Sequence, residues 1–523
     1  MDRRFFLRAL GGAGGALSLG SPLWLGGCGG DAAAPPAGRA SVERARTQPA
    51  QAVAVSFDPS STGVPIARGL LGSNVQWSDN GDNMLFPDGS PNPLMLAQAR
   101  GVAPTVLRYP GGSQSDVFHW AAASNQNFFT GAVQETTMDT QALLELCESL
   151  GAEPLFTANI VTADPAEAQA WLAQTNVARL VSRNTGALLP KVARWELGNE
   201  PYLQTGKPGL DLTPQAYAAK LEAFIPALRA VDPTVRLGVP LTSDQRNGVW
   251  VTPYQGFTRE VLGGLTQDFD FACVHDAYMP YATDGTTDTT ALYYAAMAGS
   301  HAVAADLAAM RALLAELRPG RTIPLAITEW APMFSLGAAT DGLILSPTAG
   351  LYAADLVRML ATQDGLELAN HWSLSGNWLF GAISQTGFDR AVADALHLAG
   401  GALAGERLAV DVRAPTIATP SLGQVGALAA MPLFEALPTR DGDTVRVLMI
   451  NKDLARKAQV TLDLAGRRPL AATLRGLGCA DAFAQADVAG LMTPWNALPA
   501  VASTMKISLP AHSMAVLELT MAG

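Results

Sequence analysis

Cysteine is scarce in this 523-residue chain. Cys28, Cys147, Cys273 and Cys479 stand far apart, which excludes a disulfide framework and the paired spacing of a zinc or redox site. The expectation is free, buried thiols. Histidine is equally dispersed, at 119, 275, 301, 371, 397 and 512, so no metal and no cofactor are expected. Charge is sparse as well: 35 Lys and Arg against 46 Asp and Glu give a net charge of -11, with the cations scattered. No basic face suits a phosphate backbone, and nucleic acid is not an expected partner. The chain has no Gly-x-Ser-x-Gly elbow, and no Gly-x-Gly-x-x-Gly turn outside its first residues, which removes the serine-hydrolase and nicotinamide readings. The Gly-rich run at 11–15 lacks the Lys-Ser/Thr of a phosphate loop.

Apolar residues, in contrast, make up 49% of the chain, enough for a large core. The first residues read as an export signal. Arg3-Arg4 ahead of Phe6-Leu7 resembles a twin-arginine signal, and Leu25-Gly26-Gly27-Cys28 resembles a lipoprotein box. The expectation is a signal over 1–27, a lipid anchor on Cys28, a disordered Ala/Pro-rich tether over 28–50 and a periplasmic or cell-surface lipoprotein. Contact with a membrane would run through that anchor alone, since no later segment is apolar for long enough to span one.

From Pro65 onward, short apolar runs alternate eight times with Ala/Leu-rich stretches of helical period. The runs end at Asn74, Tyr109, Asn159, Glu200, Pro240, Asp276, Glu329 and Trp372, and helices are predicted between them, among others over 140–150, 165–184, 213–231, 301–317 and 349–364. Eight βα units predict a (β/α)8 TIM barrel over 65–400. After residue 400 the period changes to two: strands are predicted over 444–451, 459–464, 470–477 and 506–520, an antiparallel, half-buried C-terminal β-sandwich over 401–523. The 51–64 segment also alternates and is expected to add a strand to that sandwich.

Barrel sites form at the carboxyl ends of the strands. Trp77, Trp120, Trp330, Trp372 and Trp378 follow those ends, with Tyr109, Tyr202, Tyr278 and Tyr281. Aromatic rims suit the apolar faces of sugar rings, so these residues are expected to bind carbohydrate. Two carboxylates stand there too: Glu200, in Trp195-Glu196-Leu197-Gly198-Asn199-Glu200-Pro201, and Glu329, in Ile327-Thr328-Glu329-Trp330. They close the fourth and seventh strands, on opposite arcs of the ring, and glycoside hydrolysis needs such a facing pair. Glu196 shares parity with Glu200, so it points into the barrel and requires a cation such as Arg108.

Asn199-Glu200-Pro201 and Glu329 resemble the acid/base and nucleophile positions of the clan A retaining glycoside hydrolases. Leu107-Arg108-Tyr109-Pro110-Gly111-Gly112, with Trp120 after it, is similar to the second-strand motif of the family 51 α-L-arabinofuranosidases; Trp195-Glu196 resembles the heparanase-like and β-xylosidase branches. The resemblance implies a double displacement through a covalent glycosyl-enzyme. It further implies that Asn199 binds the 2-hydroxyl of the sugar, that His275 and Tyr278 orient or polarise Glu329, and that Arg108 supports it electrostatically. Trp77, Trp330 and Trp372 complete the expected sugar-binding set. The alternative from another class is a surface lipoprotein that binds polysaccharide without cleaving it.

Overall fold

The computed structural model describes residues 48–203, 207, 209–243, 256–275, 277–282, 288–335, 341–376, 379–484 and 486–522. The predicted signal, the Cys28 anchor, most of the tether and Trp378 lie outside them.

Eight parallel strands close into a ring. In chain order they are β1 (Gly69–Asn74), β2 (Val106–Tyr109), β3 (Glu153–Ala158), β4 (Arg194–Leu197), β5 (Arg236–Pro240), β6 (Phe271–Val274), β7 (Leu325–Ser335) and β8 (Leu366–His371). Each pairs with its sequence neighbour, and β8 pairs with β1. The fold is therefore a closed (β/α)8 barrel. β7 continues past Glu329 to Ser335, because a ninth strand, Ala277–Ala282, follows β6 and pairs with this extension. Glu329 thus lies within its strand, not at its end as the sequence suggested.

Side chains fill the barrel in layers. Val106, Leu155, Phe271, Cys273, Ala326 and Leu368 form an apolar floor. Gly238 makes room for it, since a Cβ there would lie 2.1 Å from the Phe271 ring. Two residues further along four of these strands come Arg108, Thr157, His275 and Thr328, so alternation alone raises a polar layer toward the carboxyl end.

The helices follow from local signals. Asp139, Asp164 and Thr213 each accept a backbone N–H as N-caps, with Pro at the first turn of the latter two helices. Two predicted boundaries change. The helix beginning at Pro165 ends at Leu172 in a π turn over Ala173–Ala178, well short of 184. That before β7 starts at Thr289, capped by Asp288, and not at His301: after an open first turn, its residues 295–300 are buried all round and show no amphipathic stripe.

The C-terminal region packs a four-stranded sheet on a seven-stranded one. Strand Gln51–Ser56 belongs to the first, antiparallel to Asp411–Arg413 and parallel to Ala458–Asp463. One pair thus departs from the antiparallel expectation, because this strand arrives from before the barrel and no hairpin sets its direction. The run predicted over 506–520 is two strands in different sheets, Thr504–Leu509 and Ser513–Thr520, divided at Pro510 and at His512, whose φ is +47°. The seven-stranded sheet is half-buried over part of its width, as in strand Ala471–Gly478 with its alternating exposure, and covered on both faces where it meets the barrel. Ala515, Leu517 and Leu519 face the sandwich core while Met514 and Val516 join the barrel's hydrophobic cluster, because helices Pro347–Leu360 and Ala391–Gly400 cover the outer face.

A buried ion cluster crosses that junction. Lys452 Nζ lies 2.7 Å from Asp355 Oδ2, and Arg358 Nε 2.8 Å from Asp355 Oδ1. Glu435 sits 3.5 Å from Arg358. Burial opposes the Asp355 charge, but Lys452 and Arg358 outweigh it and hold the carboxyl below its ordinary range. Lys452→Met leaves Arg358 as the one cation, among the described residues, hydrogen-bonded to the buried Asp355 carboxylate and shared with Glu435, and a loss of about 3 kcal/mol is expected in urea unfolding at pH 7. A depressed carboxyl contributes above its unfolded value, so this deficit should shrink as pH falls below about 4.

Candidate active site

The polar layer is one hydrogen-bonded network around a buried guanidinium. Arg108, on β2, donates from Nε to Glu196 Oε2 at 2.5 Å and from Nη1 to Glu329 Oε1 at 2.6 Å. It also donates to Asn74 Oδ1 at 3.0 Å and Asn199 Oδ1 at 2.9 Å. Arg108 and Glu196 are fully buried. Burial alone would raise Glu196, yet the Arg108 charge and its hydrogen bonds bring it down to about 2. The cation inferred from the parity of Glu196 is therefore in place.

Glu329 reaches the network through a bulge. Between Ile327 and Trp330 the strand advances one residue more than β8 does, so Thr328 and Glu329 both turn inward where strict alternation would admit only Thr328. Tyr278 Oη donates to Glu329 Oε2 at 2.5 Å. Glu200 sits across the mouth on a turn shaped by Gly198, whose φ is +90° and whose Cβ would meet Ile160 at 2.9 Å. Glu200 itself adopts φ +43°, which few non-glycine residues accept. Its Oε1 lies 3.0 Å from His275 Nδ1. Burial is the main influence lifting the Glu200 carboxyl above its ordinary range, Glu329 adds to it, and His275 and Arg108 oppose it. Burial also disfavours charge on His275, but the surrounding Glu329, Glu196 and Glu200 outweigh it and raise the imidazole to about 9.

His275 does not hydrogen-bond Glu329, although the Glu329 charge is the largest acting on its imidazole. Its hydrogen bond goes to Glu200, and Nδ1 stands 3.9 Å from Glu329 Oε2. The orienting contact to Glu329 comes from Tyr278 alone of the two. Glu200, His275 and Glu329 place one polar atom each within 4.8 Å of the others.

The aromatic rim is smaller than the sequence suggested. Trp77 is buried against Phe118 at 6.0 Å, and Trp330 is buried edge-on to His371 at 4.8 Å. Both are core residues: Trp330 follows the inward-facing Glu329 and turns to the helix side of its strand, and Trp77 lies beyond β1 at the start of the short helix Ser78–Asp82. Tyr109 and Tyr202 are buried too, whereas Trp120 and Tyr281 are half-buried. Trp372 keeps an accessible face beside the Pro-Gly-Gly turn, where a Cβ on Gly112 would come within 2.7 Å of its ring. Glycine there lets the indole lie against the backbone.

Three neighbours escaped the sequence reading. Thr328 Oγ1 lies 2.7 Å from both Glu196 Oε1 and His275 Nε2. Asn74 donates to the Thr328 carbonyl at 3.0 Å and fixes the bulge. Asp116, after β2, is buried beside the Asn199 backbone N–H with Oδ1 unpartnered among the described residues; burial and then Glu200 push its carboxyl well up. Position beyond a strand end was the sole signal for Asp116, and many loop acids share it.

Comparison with known proteins places this fold. An α-L-arabinofuranosidase from Thermotoga maritima superposes with a TM-score of 0.73 at 19% identity, covering 90% of this chain and all of that one. AbfB, a family 51 α-L-arabinofuranosidase from Bifidobacterium longum, gives 0.73 at 19% identity over 89% of this chain and 99% of its own. The chain shares its fold with the family 51 arabinofuranosidases. CelM2, a bifunctional glucanase-xylanase from a metagenome library, superposes with a TM-score of 0.60 at 12% identity over 91% of this chain and all of its own. In sequence, the probable α-L-arabinofuranosidase C of Aspergillus clavatus is 30% identical over 151 residues, 25% of this chain and 28% of that protein. The chain spans little more than a quarter of the length of the curated relatives it matches. No family model matches it.

Proposed function

We propose that the protein is a retaining glycoside hydrolase with Glu329 as nucleophile and Glu200 as acid/base, acting on α-L-arabinofuranosyl-like residues of oligo- or polysaccharides. The observation that carries this reading is the carboxyl pair, with oxygens of Glu200 and Glu329 within 4.8 Å of each other in opposed surroundings. Double displacement uses carboxyls about 5–5.5 Å apart, while inversion needs about 6.5–9.5 Å to admit a water.

The charges suit the two steps. Arg108 and Tyr278 stabilise negative charge on Glu329, the group that must lie beneath an oxocarbenium-like anomeric carbon. Glu200, lifted by burial, is suited to give its proton to the departing oxygen and then to take one from the attacking water. Arg108 offers only donors, so Asn199 must turn Oδ1 to it, leaving the amide nitrogen for a sugar hydroxyl. Trp372 offers the face on which a ring can stack.

A panel of 4-nitrophenyl glycosides tests the proposal. The α-L-arabinofuranoside should release nitrophenol, and proton NMR should show the first-formed sugar in the anomeric configuration of the substrate. Polysaccharide binding with no release from any glycoside would favour the non-catalytic reading. An inverted first product would exclude double displacement.

A further inference from the structure

We infer that Glu196 and Thr328 are positioning residues that fix which nitrogen of His275 carries a permanent proton, leaving the other nitrogen and Glu200 to share one exchangeable proton. The inference rests on the glycosidase reading above and deepens it. The argument is one of donors and acceptors. Glu196, held as a carboxylate, only accepts: at Oε2 from Arg108 Nε at 2.5 Å and from Thr157 Oγ1 at 2.9 Å, and at Oε1 from Thr328 Oγ1 at 2.7 Å. A hydroxyl has a single proton, and that of Thr328 is spent on Glu196. Toward His275 Nε2, 2.7 Å away, the same oxygen can only accept. Nε2 must therefore carry a proton in every state, and Nδ1, 3.0 Å from Glu200, is the nitrogen that titrates.

Two states follow. Before bond cleavage the pair holds the exchangeable proton, as carboxylic acid and neutral imidazole or as carboxylate and imidazolium. After the proton has left with the aglycone oxygen, the neutral imidazole turns a lone pair on Nδ1 toward the Glu200 carboxylate. Lone pair against carboxylate is unfavourable, so Glu200 remains a strong base for the water that must next be deprotonated. Had the imidazole been free to place its proton on Nδ1, it would hydrogen-bond the carboxylate, weaken Glu200 as a base and lower the pH above which it no longer holds the proton it must donate. The other groups facing the pair are Glu329, Glu196 and Arg108 in the barrel, Tyr278 beyond β6, Cys273 on β6 and Asp116 after β2.

Three variants separate this device from a merely structural role. Thr328→Val removes the hydroxyl, and Thr328→Ser retains it. Glu196→Gln should reverse the chain: Arg108 and Thr157 claim the amide oxygen, the amide nitrogen donates to Thr328, and Thr328 donates to Nε2. The alkaline limb of kcat/KM for an unactivated glycoside, methyl α-L-arabinofuranoside, should move down by about one pH unit in Thr328→Val and Glu196→Gln and stay in place in Thr328→Ser. Cleavage of the 4-nitrophenyl glycoside to the intermediate, which gains little from an acid, should lose less than cleavage of the methyl glycoside. An unmoved limb in Glu196→Gln, or equal losses on both substrates, would overturn the inference. Nitrogen-15 NMR of histidine-labelled protein, with the His275 signal identified from His275→Gln, reads the tautomer without turnover. At high pH wild type should show Nδ1 as the bare nitrogen and Glu196→Gln should show Nε2; Nε2 bare in wild type refutes the lock whether or not any glycoside is hydrolysed.

Discussion

Glu329→Ala is expected to lose on the order of 10⁶-fold in kcat on every glycoside tested, the scale seen when a covalent nucleophile is removed. Glu200→Ala should behave differently. General acid catalysis contributes about 10²–10⁴-fold, but a nitrophenolate departs without much help from a proton. The intermediate should therefore still form from activated substrates and break down slowly, because no base remains to deprotonate water. Azide needs no base. It should restore turnover of Glu200→Ala with a glycosyl azide of retained configuration, and in Glu329→Ala enter the space beneath the anomeric carbon to give the opposite anomer. Steady-state kinetics on a nitrophenyl and a methyl glycoside, with NMR of the azide products, makes the comparison. Equal losses on both substrates in both variants, with no azide product, would remove these roles from the two residues.

Arg108→Met is expected to be the most destabilising single change in the barrel. The guanidinium is fully buried between Glu196 and Glu329, and removing it leaves two buried carboxylates without their hydrogen-bonded cation, with only the His275 imidazole, among the described residues, near both, at 3.8 and 3.9 Å. Breaking a buried ion pair typically costs about 3–5 kcal/mol. The pH dependence follows from Glu196. Its folded value of about 2 lies below that of an unfolded glutamate, so its contribution is present above about pH 4 and lost as pH falls toward 2. The difference between wild type and Arg108→Met in urea unfolding should accordingly be largest at pH 7 and smaller at pH 3. A deficit that is the same at both would show that Arg108 acts through packing instead of charge. Arg108→Lys should not restore activity, because one ammonium cannot serve four acceptors in the plane of the guanidinium.

Much of the architecture follows from periodicity. Eight alternations of short apolar runs with helical stretches specify the barrel, since each strand must bury both faces and each helix one. Sequence reached Glu200, Glu329, Arg108, Asn199, His275 and Tyr278 because functional side chains collect just beyond strand ends. The structure brings these six into one connected network. It does not add Trp77 or Trp330, for an indole next to a strand end looks the same in sequence whether it turns to the mouth or to the helix layer.

What the sequence by itself determined is the class of each element, the barrel with its appended strands, and the demand that a buried Glu196 find a cation. Those conclusions depend on period and on burial, which are local properties of the chain. Only the tertiary structure decided which carboxylate His275 serves, that Thr328 and Glu329 both face inward, and that the seven-stranded sheet is covered on both faces where it meets the barrel. Each of these depends on one strand's register against another, as at Ile327–Trp330, where a single extra residue against β8 brings Glu329 into the barrel. A one-residue shift between strands reverses the direction of a side chain at no cost to the pattern along either strand, so the pattern along one strand cannot contain it.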